Sequence, residues 1–236
     1  MTSRRDVSQQ IPLPIQLRAS SVFTSYCMGA NHEALSALQN LRSTGPSPVV
    51  FLYGVSGTGK THLLQAACVR ASETQQQASY LPLRELHQYG PELLQGAEHT
   101  HLVCLDDVSE VLYQPDWSRA LFNLHRDLEE QGGKLLLADA QAPAALTIAL
   151  PDLASRIMAG TILRLQPLDD TAQIEALQLH ANQRGLILPS DVVSYLLRRL
   201  PRDMHSLCGF LDELDLASLT AQRKLTVPFV KEVLAR

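Results

Sequence analysis

Val49-Val50-Phe51-Leu52-Tyr53-Gly54-Val55-Ser56-Gly57-Thr58-Gly59-Lys60-Thr61 is an apolar run that passes directly into a complete G-x-x-x-x-G-K-T loop. A polyphosphate needs several closely spaced backbone N–H donors, and only residues without a side chain let the main chain wrap that tightly. Gly54, Gly57 and Gly59 supply that freedom. The whole loop, with Val55, Ser56 and Thr58 between the glycines, is the candidate cradle for the phosphates. Lys60 reaches toward the β and γ phosphates, the Thr61 hydroxyl suits Mg²⁺, and a helix beginning near Thr61 points its positive dipole end at the charge. The setting agrees: valine and phenylalanine before the loop read as a buried strand, and His62 to Ser72, carrying Leu63, Leu64, Ala66, Ala67 and Val69, reads as the following helix. The chain is expected to bind a nucleoside diphosphate or triphosphate.

A nucleotide site of this kind needs an acidic strand end for the metal. His101-Leu102-Val103-Cys104-Leu105-Asp106-Asp107 is an apolar run closing in two carboxylates. Asp106 is placed to hold Mg²⁺ through its water shell, and Asp107 stands where a carboxylate can orient an attacking water. Paired acids after a strand also suit a turn or the N-cap of the next helix; the phosphate loop upstream turns the reading toward metal. The short side chain of Asp107 leaves its strength as a base open.

At 236 residues with 45% apolar side chains, the chain can hold one α/β domain and a small satellite. A net charge of −4 argues against an extensive basic surface, while leaving room for a local basic patch. No stretch approaches the roughly 18 consecutive apolar residues of a membrane span, and the polar start lacks the apolar core of a signal peptide, so a cytoplasmic address is expected. Cys27, Cys68, Cys104 and Cys208 are scattered without C-x-x-C pairing and read as reduced core residues; the eight histidines form no metal-ligand spacing.

Residues 1–20 are polar and proline-bearing without helical period, and read as a mobile tail. From there, strands expected at Pro48–Tyr53, Ala78–Leu83, Leu102–Leu105, Lys134–Ala138 and Thr161–Leu165 alternate with helices at Asn31–Leu41, Thr61–Ser72, Glu85–Gln95, Trp117–Glu130 and Pro151–Met158. Strand alternating with helix implies a parallel sheet. After Gln166-Pro167-Leu168 the strands stop, and amphipathic helices follow at Thr171–Arg184, Ser190–Arg199, Asp203–Ala221 and Val227–Leu234. In the third, Leu207, Leu211, Leu214 and either Leu216 or Ala217 form an apolar stripe. The expected plan is an α/β nucleotide-binding domain with a five-stranded parallel sheet over residues 21–167 and a small all-helical lid over residues 168–236.

A phosphate loop, an Asp-Asp strand end and a helical lid together resemble an AAA+ ATPase, and further segments resemble relatives of the replication initiator DnaA. Leu153-Ala154-Ser155-Arg156, followed by Gly160, is similar to the box that carries the family's arginine finger; Pro201-Arg202-Asp203-Met204 is similar to the segment whose arginine, here Arg202, senses bound nucleotide. Ser25 to Asn31 resembles the family's segment near the adenine, with Cys27 and Met28 in place of bulkier residues. The family usually follows its fourth strand with a sensor acid and an arginine. Here Asp139-Ala140-Gln141 stands there, with the acid one position early, so no residue is assigned to that role. A plain arginine on an AAA+ helix is otherwise a surface ion pair of little energetic worth, and Arg202 could cap a helix.

The resemblance implies ADP or ATP with Mg²⁺ as ligands. The chain closes at Arg236 after the lid helices, so sequence-specific DNA reading is not expected. Gln10-Ile11-Pro12-Leu13-Pro14-Ile15 resembles the Q-x-x-L-x-[LI] peptide by which replication proteins dock on the sliding clamp (β subunit) of DNA polymerase III. Within this peptide, which also carries Ile11, the prolines Pro12 and Pro14 limit the entropy lost on docking, Leu13 and Ile15 suit an apolar pocket, and the Gln10 amide can both donate and accept. What the resemblance implies is a regulator that docks on the clamp and presents Arg156 in trans to DnaA carrying ATP, with weak or absent turnover of its own. A homodimer is compatible with AAA+ sites lying between subunits. Two other readings stand beside it: an ATPase of the helicase-loader type using Lys60, Asp106 and Asp107 on its own ATP, and an inert clamp-binding scaffold whose nucleotide only stabilises the fold.

Overall fold

The structure is a computed structural model, and it describes residues 21–41, 47–201 and 203–235. The expected tail and the expected clamp peptide at Gln10, Ile11, Leu13, Pro14 and Ile15 lie outside these residues, as does Arg202.

All five expected strands form, each within one residue of its expected bounds: β1 (Val49–Tyr53), β2 (Ala78–Pro82), β3 (Leu102–Asp106), β4 (Lys134–Asp139) and β5 (Thr161–Arg164). They make one sheet in the order β2-β3-β4-β1-β5, and every neighbouring pair is parallel. Parallel strands need long crossovers, which here are helices laid on both faces, so the strands are apolar on both sides. Side chains of one strand alternate between faces. Val49 and Phe51 of β1 pack on one face with Val103, Leu105, Leu135 and Leu137. Val50 and Leu52 pack on the other with Leu102, Cys104, Leu136 and Ala138.

Helices α1 (His32–Gln39) and α2 (Lys60–Glu73) cover the second face, contributing Leu35, Leu38, Leu63, Leu64 and Cys68 to its core. The first face carries the short α3 (Leu83–Leu86) and α4 (Ser109–Leu112), then α5 (Pro115–Gln131) and α6 (Pro151–Met158), with Trp117, Leu121, Leu128, Leu153 and Ile157 facing the sheet. The helix expected over Glu85–Gln95 does not form as one element. α3 ends at Leu86 and 3₁₀ turns follow at His87–Tyr89 and Pro91–Leu94. The break is local: a proline disfavours helical backbone in the residue before it, and Gly90 takes a φ of 84° just ahead of Pro91.

Beyond β5 the chain is helical, with α7 (Asp170–Gln183), α8 (Ser190–Arg199), α9 (Met204–Ala221) and α10 (Val227–Leu234). Their apolar stripes meet in a separate core of Leu177, Val192, Leu196, Leu207, Leu211, Leu214 and Phe229. Of the two candidates for the end of the α9 stripe, Ala217 packs against this core while Leu216 is 69% exposed. None of the four cysteines is in a disulfide; Cys68 and Cys104 are buried, Cys27 and Cys208 half-buried. Among the described residues no helix is long and apolar enough to cross a membrane.

Candidate functional site

A doubly covered parallel sheet leaves one open place for a ligand, outside the carboxyl ends of its strands. There β1 runs into the glycine loop, β3 ends in Asp106, and β4 ends in Asp139, whose carbonyl accepts from Gly54 N at 3.3 Å. The loop is built as the phosphate-cradle reading requires. Gly57 and Gly59 have φ of 81° and 87°, and a Cβ on Gly54 would lie 2.6 Å from the Leu165 carbonyl oxygen. Lys60, mostly buried, folds back and donates from Nζ to the carbonyls of Gly54 (2.7 Å) and Val55 (3.2 Å). Burial lowers the Lys60 pKa, and the facing carboxylates Asp106, Asp107 and Asp139 act against that shift by favouring its charge. A buried ammonium poised over a loop of backbone donors fits a polyphosphate.

Thr61 and Asp106 come together as expected: Thr61 Oγ1 donates to Asp106 Oδ2 at 2.5 Å. Two hard oxygens converging beside a phosphate cradle suit Mg²⁺. Tyr80 of β2 also donates to Asp106 Oδ2, at 3.2 Å, and Asp107 N donates to Oδ1 at the same distance. Tyr80 pairs in register with Cys104, so its ring shares the face of Asp106 and reaches it diagonally. Burial beside the Asp106 carboxylate raises the Tyr80 pKa, which keeps it a donor. No local pattern marked Tyr80; only the β2–β3 register brings it here.

Asp107 sits at a φ of 54°, where the chain turns sharply after β3. Its carboxylate pairs with Arg84 at 3.3 Å, and Arg84 also reaches Glu110 at 3.6 Å. Burial, then the Asp106 charge, raises the Asp107 pKa, and Arg84 opposes this. Asp139, which stands near the missing sensor acid, is buried and accepts from the N–H groups of Ser109 (2.8 Å) and Gln141 (3.2 Å). It therefore organises the loops after β3 and β4.

The segment from Ser25 to Asn31 and the lid close over the same loop. Tyr26 OH donates to the Thr58 carbonyl at 3.1 Å, and its ring covers Gly59 closely enough that a Cβ there would meet Tyr26 Cε2 at 2.6 Å. Asn31 donates to Tyr26 OH and to the Gln166 carbonyl, and accepts from Gln166 N at 2.7 Å, tying this segment to the hinge before the lid. From the lid, Asp203 caps α9 by accepting from Ser206 N, and its Cβ would lie 2.9 Å from a Cβ on Gly57. His180 of α7 meets His62 of α2 edge to face at 6.1 Å. His180 carries no local signature of this role; Asn31 and Asp203 fall in segments that resemble the family's, yet only the fold supplies their partners.

The profile of the bacterial DnaA ATPase domain matches residues 17–164. The chain belongs to that family. It is a DnaA-related AAA+ protein, and its residues 170–234 match the profile described as Hda, lid domain. Among solved structures, domain III of Thermotoga maritima DnaA is 20% identical with a TM-score of 0.76, covering 94% of this chain and 98% of that one. DnaA from Aquifex aeolicus bound to AMPPCP is 23% identical with a TM-score of 0.71, covering 87% of this chain and 68% of that one. A DnaA bound to AMPPCP and single-stranded DNA is 24% identical with a TM-score of 0.69, over 88% and 68% of the two chains. These likenesses place the fold as AAA+.

In this DnaA-related chain, Arg156 of α6 stands apart from the cluster of Lys60, Thr61, Asp106 and Asp107. Its partners are on α5: Glu129 at 3.0 Å, His125 Nδ1 at 3.5 Å, and the ring of Phe122 with its centroid 5.1 Å away. α5 and α6 cover one face of the sheet, and α2, which carries Lys60 and Thr61, covers the other. Burial, then the Arg156 charge, lowers the His125 pKa, and Glu129 opposes this.

Proposed function

We propose that this DnaA-related protein regulates replication initiation by holding ADP or ATP with Mg²⁺ and supplying Arg156 in trans to DnaA carrying ATP, so that the initiator hydrolyses its nucleotide and becomes inactive. Family membership and the Hda-like lid support a role in DnaA regulation. The observation that carries the trans role is the position of Arg156, on the opposite face of the sheet from α2 and partly exposed beside α5. A guanidinium there serves a neighbouring molecule's phosphates better than its own. That AMPPCP-bound DnaA structures share the fold supports an adenine nucleotide in the cradle.

The cradle holds the nucleotide as follows. Gly54, Gly57 and Gly59 expose backbone donors, Lys60 exchanges its two carbonyl partners for phosphate oxygens, and Thr61 with Asp106 holds Mg²⁺, which neutralises phosphate charge when bound. Arg202 is assigned to sensing the nucleotide from the lid. Weak or absent turnover of the protein's own ATP agrees with Asp107, whose carboxylate is engaged by Arg84. In this reading Gln10, Ile11, Leu13, Pro14 and Ile15 dock on the sliding clamp, and the protein works in the cytoplasm.

Single-turnover hydrolysis of DnaA-bound ATP, measured with purified protein and DNA-loaded clamp, tests the proposal. Arg156→Ala should bind ADP and clamp as the wild type does, yet lose the roughly thousandfold or greater stimulation that such fingers provide. Stimulation at the wild-type rate by the variant would refute the role of Arg156. ATP turnover by the protein alone, without DnaA and clamp, would instead favour the helicase-loader reading.

A further inference from the structure

Outside the candidate nucleotide site, the lid carries a recess of its own. Ser190, Ser194, Tyr195, Arg198 and Arg199 of α8 and Val227 of α10 line a cavity of about 650 Å³. α8 turns Val192, Val193 and Leu196 into the lid core, which leaves the recess residues on its opposite, solvent side. The lid contacts described above run through α7 and the start of α9, so this recess belongs to the helices that do not meet the glycine loop.

Three cations gather there. Arg199 Cζ lies 5.9 Å and Lys231 Nζ 5.6 Å from the centroid of the half-buried Tyr195 ring, which attracts both through its negative face. Arg198, one turn after Ser194, donates from Nε to the Ser194 carbonyl at 3.0 Å and lines the same recess. Among the described residues none of these three cations pairs with a carboxylate. Glu232, beside Lys231, is engaged by Arg223 at 2.6 Å. Asp191, the one carboxylate lining the recess, lies seven residues before Arg198, about 10 Å along the helix at 1.5 Å per residue.

In a chain of net charge −4, a recess with three cations, two of them against one aromatic ring and none paired with a carboxylate among the described residues, suits an anionic ligand. The cations are spread across two helices, which suits a string of anions better than one. Ser190 and Ser194 add hydroxyl donors for phosphate oxygens. Contacts from these cations and hydroxyls to phosphate oxygens would carry no sequence information. We infer that the α8–α10 recess of the lid is a sequence-independent docking site for the phosphodiester backbone of DNA. The inference does not depend on clamp docking or on the role of Arg156.

Fluorescence anisotropy of labelled oligonucleotides of about 20 nucleotides, duplex and single-stranded, tests it directly with the full chain. Three phosphates neutralised should make affinity fall about 20- to 40-fold between 50 and 200 mM salt, from slopes of about −0.7 per contact on single strands to −0.9 on duplex. The triple variant Arg198→Ala, Arg199→Ala, Lys231→Ala should lose this binding while keeping wild-type melting and nucleotide affinity, and each single variant should reduce the salt slope by about 1. Arg70→Ala, which removes a charge paired with Glu73 on α2, should leave DNA affinity unchanged. Binding of either oligonucleotide with these responses supports the site, and the preferred form identifies the strand state it takes. Failure of the wild type to bind either form at 50 mM salt, a triple variant that binds like the wild type, or equal losses in Arg70→Ala would overturn it.

Discussion

Gly57→Ala should couple a small change in the phosphate loop to the lid, and its cost can be worked from the backbone. Gly57 has a φ of 81°, a conformation that costs an L-residue about 1–2 kcal/mol. A Cβ there would also stand 2.9 Å from Asp203 Cβ and 3.3 Å from Asp203 Cα, so the N-cap of α9 must shift by a few tenths of an ångström. Gly96→Ala separates the two contributions, since Gly96 has a φ of 88° with nothing within 4 Å of its added Cβ. The control should lose about 1–2 kcal/mol of stability, roughly 2–8 °C in Tm for a chain of this size, and keep wild-type nucleotide affinity. Gly57→Ala should lose at least as much in Tm and also weaken ADP binding about five- to thirtyfold, the same 1–2 kcal/mol read as affinity. Thermal melts and titration of a fluorescent ADP analogue measure both. If Gly57→Ala binds ADP like the Gly96→Ala control, the loop does not depend on this glycine and the lid contact carries no energy.

Three further outcomes follow from the geometry. Tyr80→Phe removes one donor from Asp106 and should weaken Mg²⁺-dependent nucleotide binding by about 0.5–1.5 kcal/mol, roughly two- to twelvefold, leaving binding in excess EDTA unchanged; a loss that persists in EDTA would place Tyr80 outside metal positioning. His180, desolvated against the sheet domain and facing His62 and Arg184, has its pKa lowered to about 4. The unfolded chain then binds more protons than the folded one below about pH 6.5, so stability should fall as pH drops from about 6.5 toward 4, and His180→Asn should lessen that fall; parallel curves for the two proteins in denaturant titrations across this range would refute it. Phe229→Ala empties a lid position that is only 1% exposed and should cost about 3–5 kcal/mol, read as an early melt of helical signal; a change under 1 kcal/mol would mean the lid core is not closed around it.

The parallel sheet, the glycine loop between strand and helix, and the lid helices were legible in the chain because each rests on signals within a few residues: glycines where positive φ is needed, apolar runs of strand length, helical spacing of leucines. Asp106 and Thr61 were legible as partners for the same reason, as ends of two local patterns. The single helix expected over Glu85–Gln95 failed on an equally local cause, Gly90 before Pro91, whose weight against helix propensity the periodicity had masked. Only the tertiary structure decided which distant residues meet. Tyr80 reaches Asp106 through strand register, Asn31 ties Tyr26 to Gln166 before the lid, Asp203 reaches the glycine loop through lid packing, Ala217 rather than Leu216 faces the lid core, and Arg156 lies on the opposite face of the sheet from α2. Backbone conformation is set by neighbours along the chain. Side-chain partnership across tens of residues is set by register and packing, which no window of sequence contains.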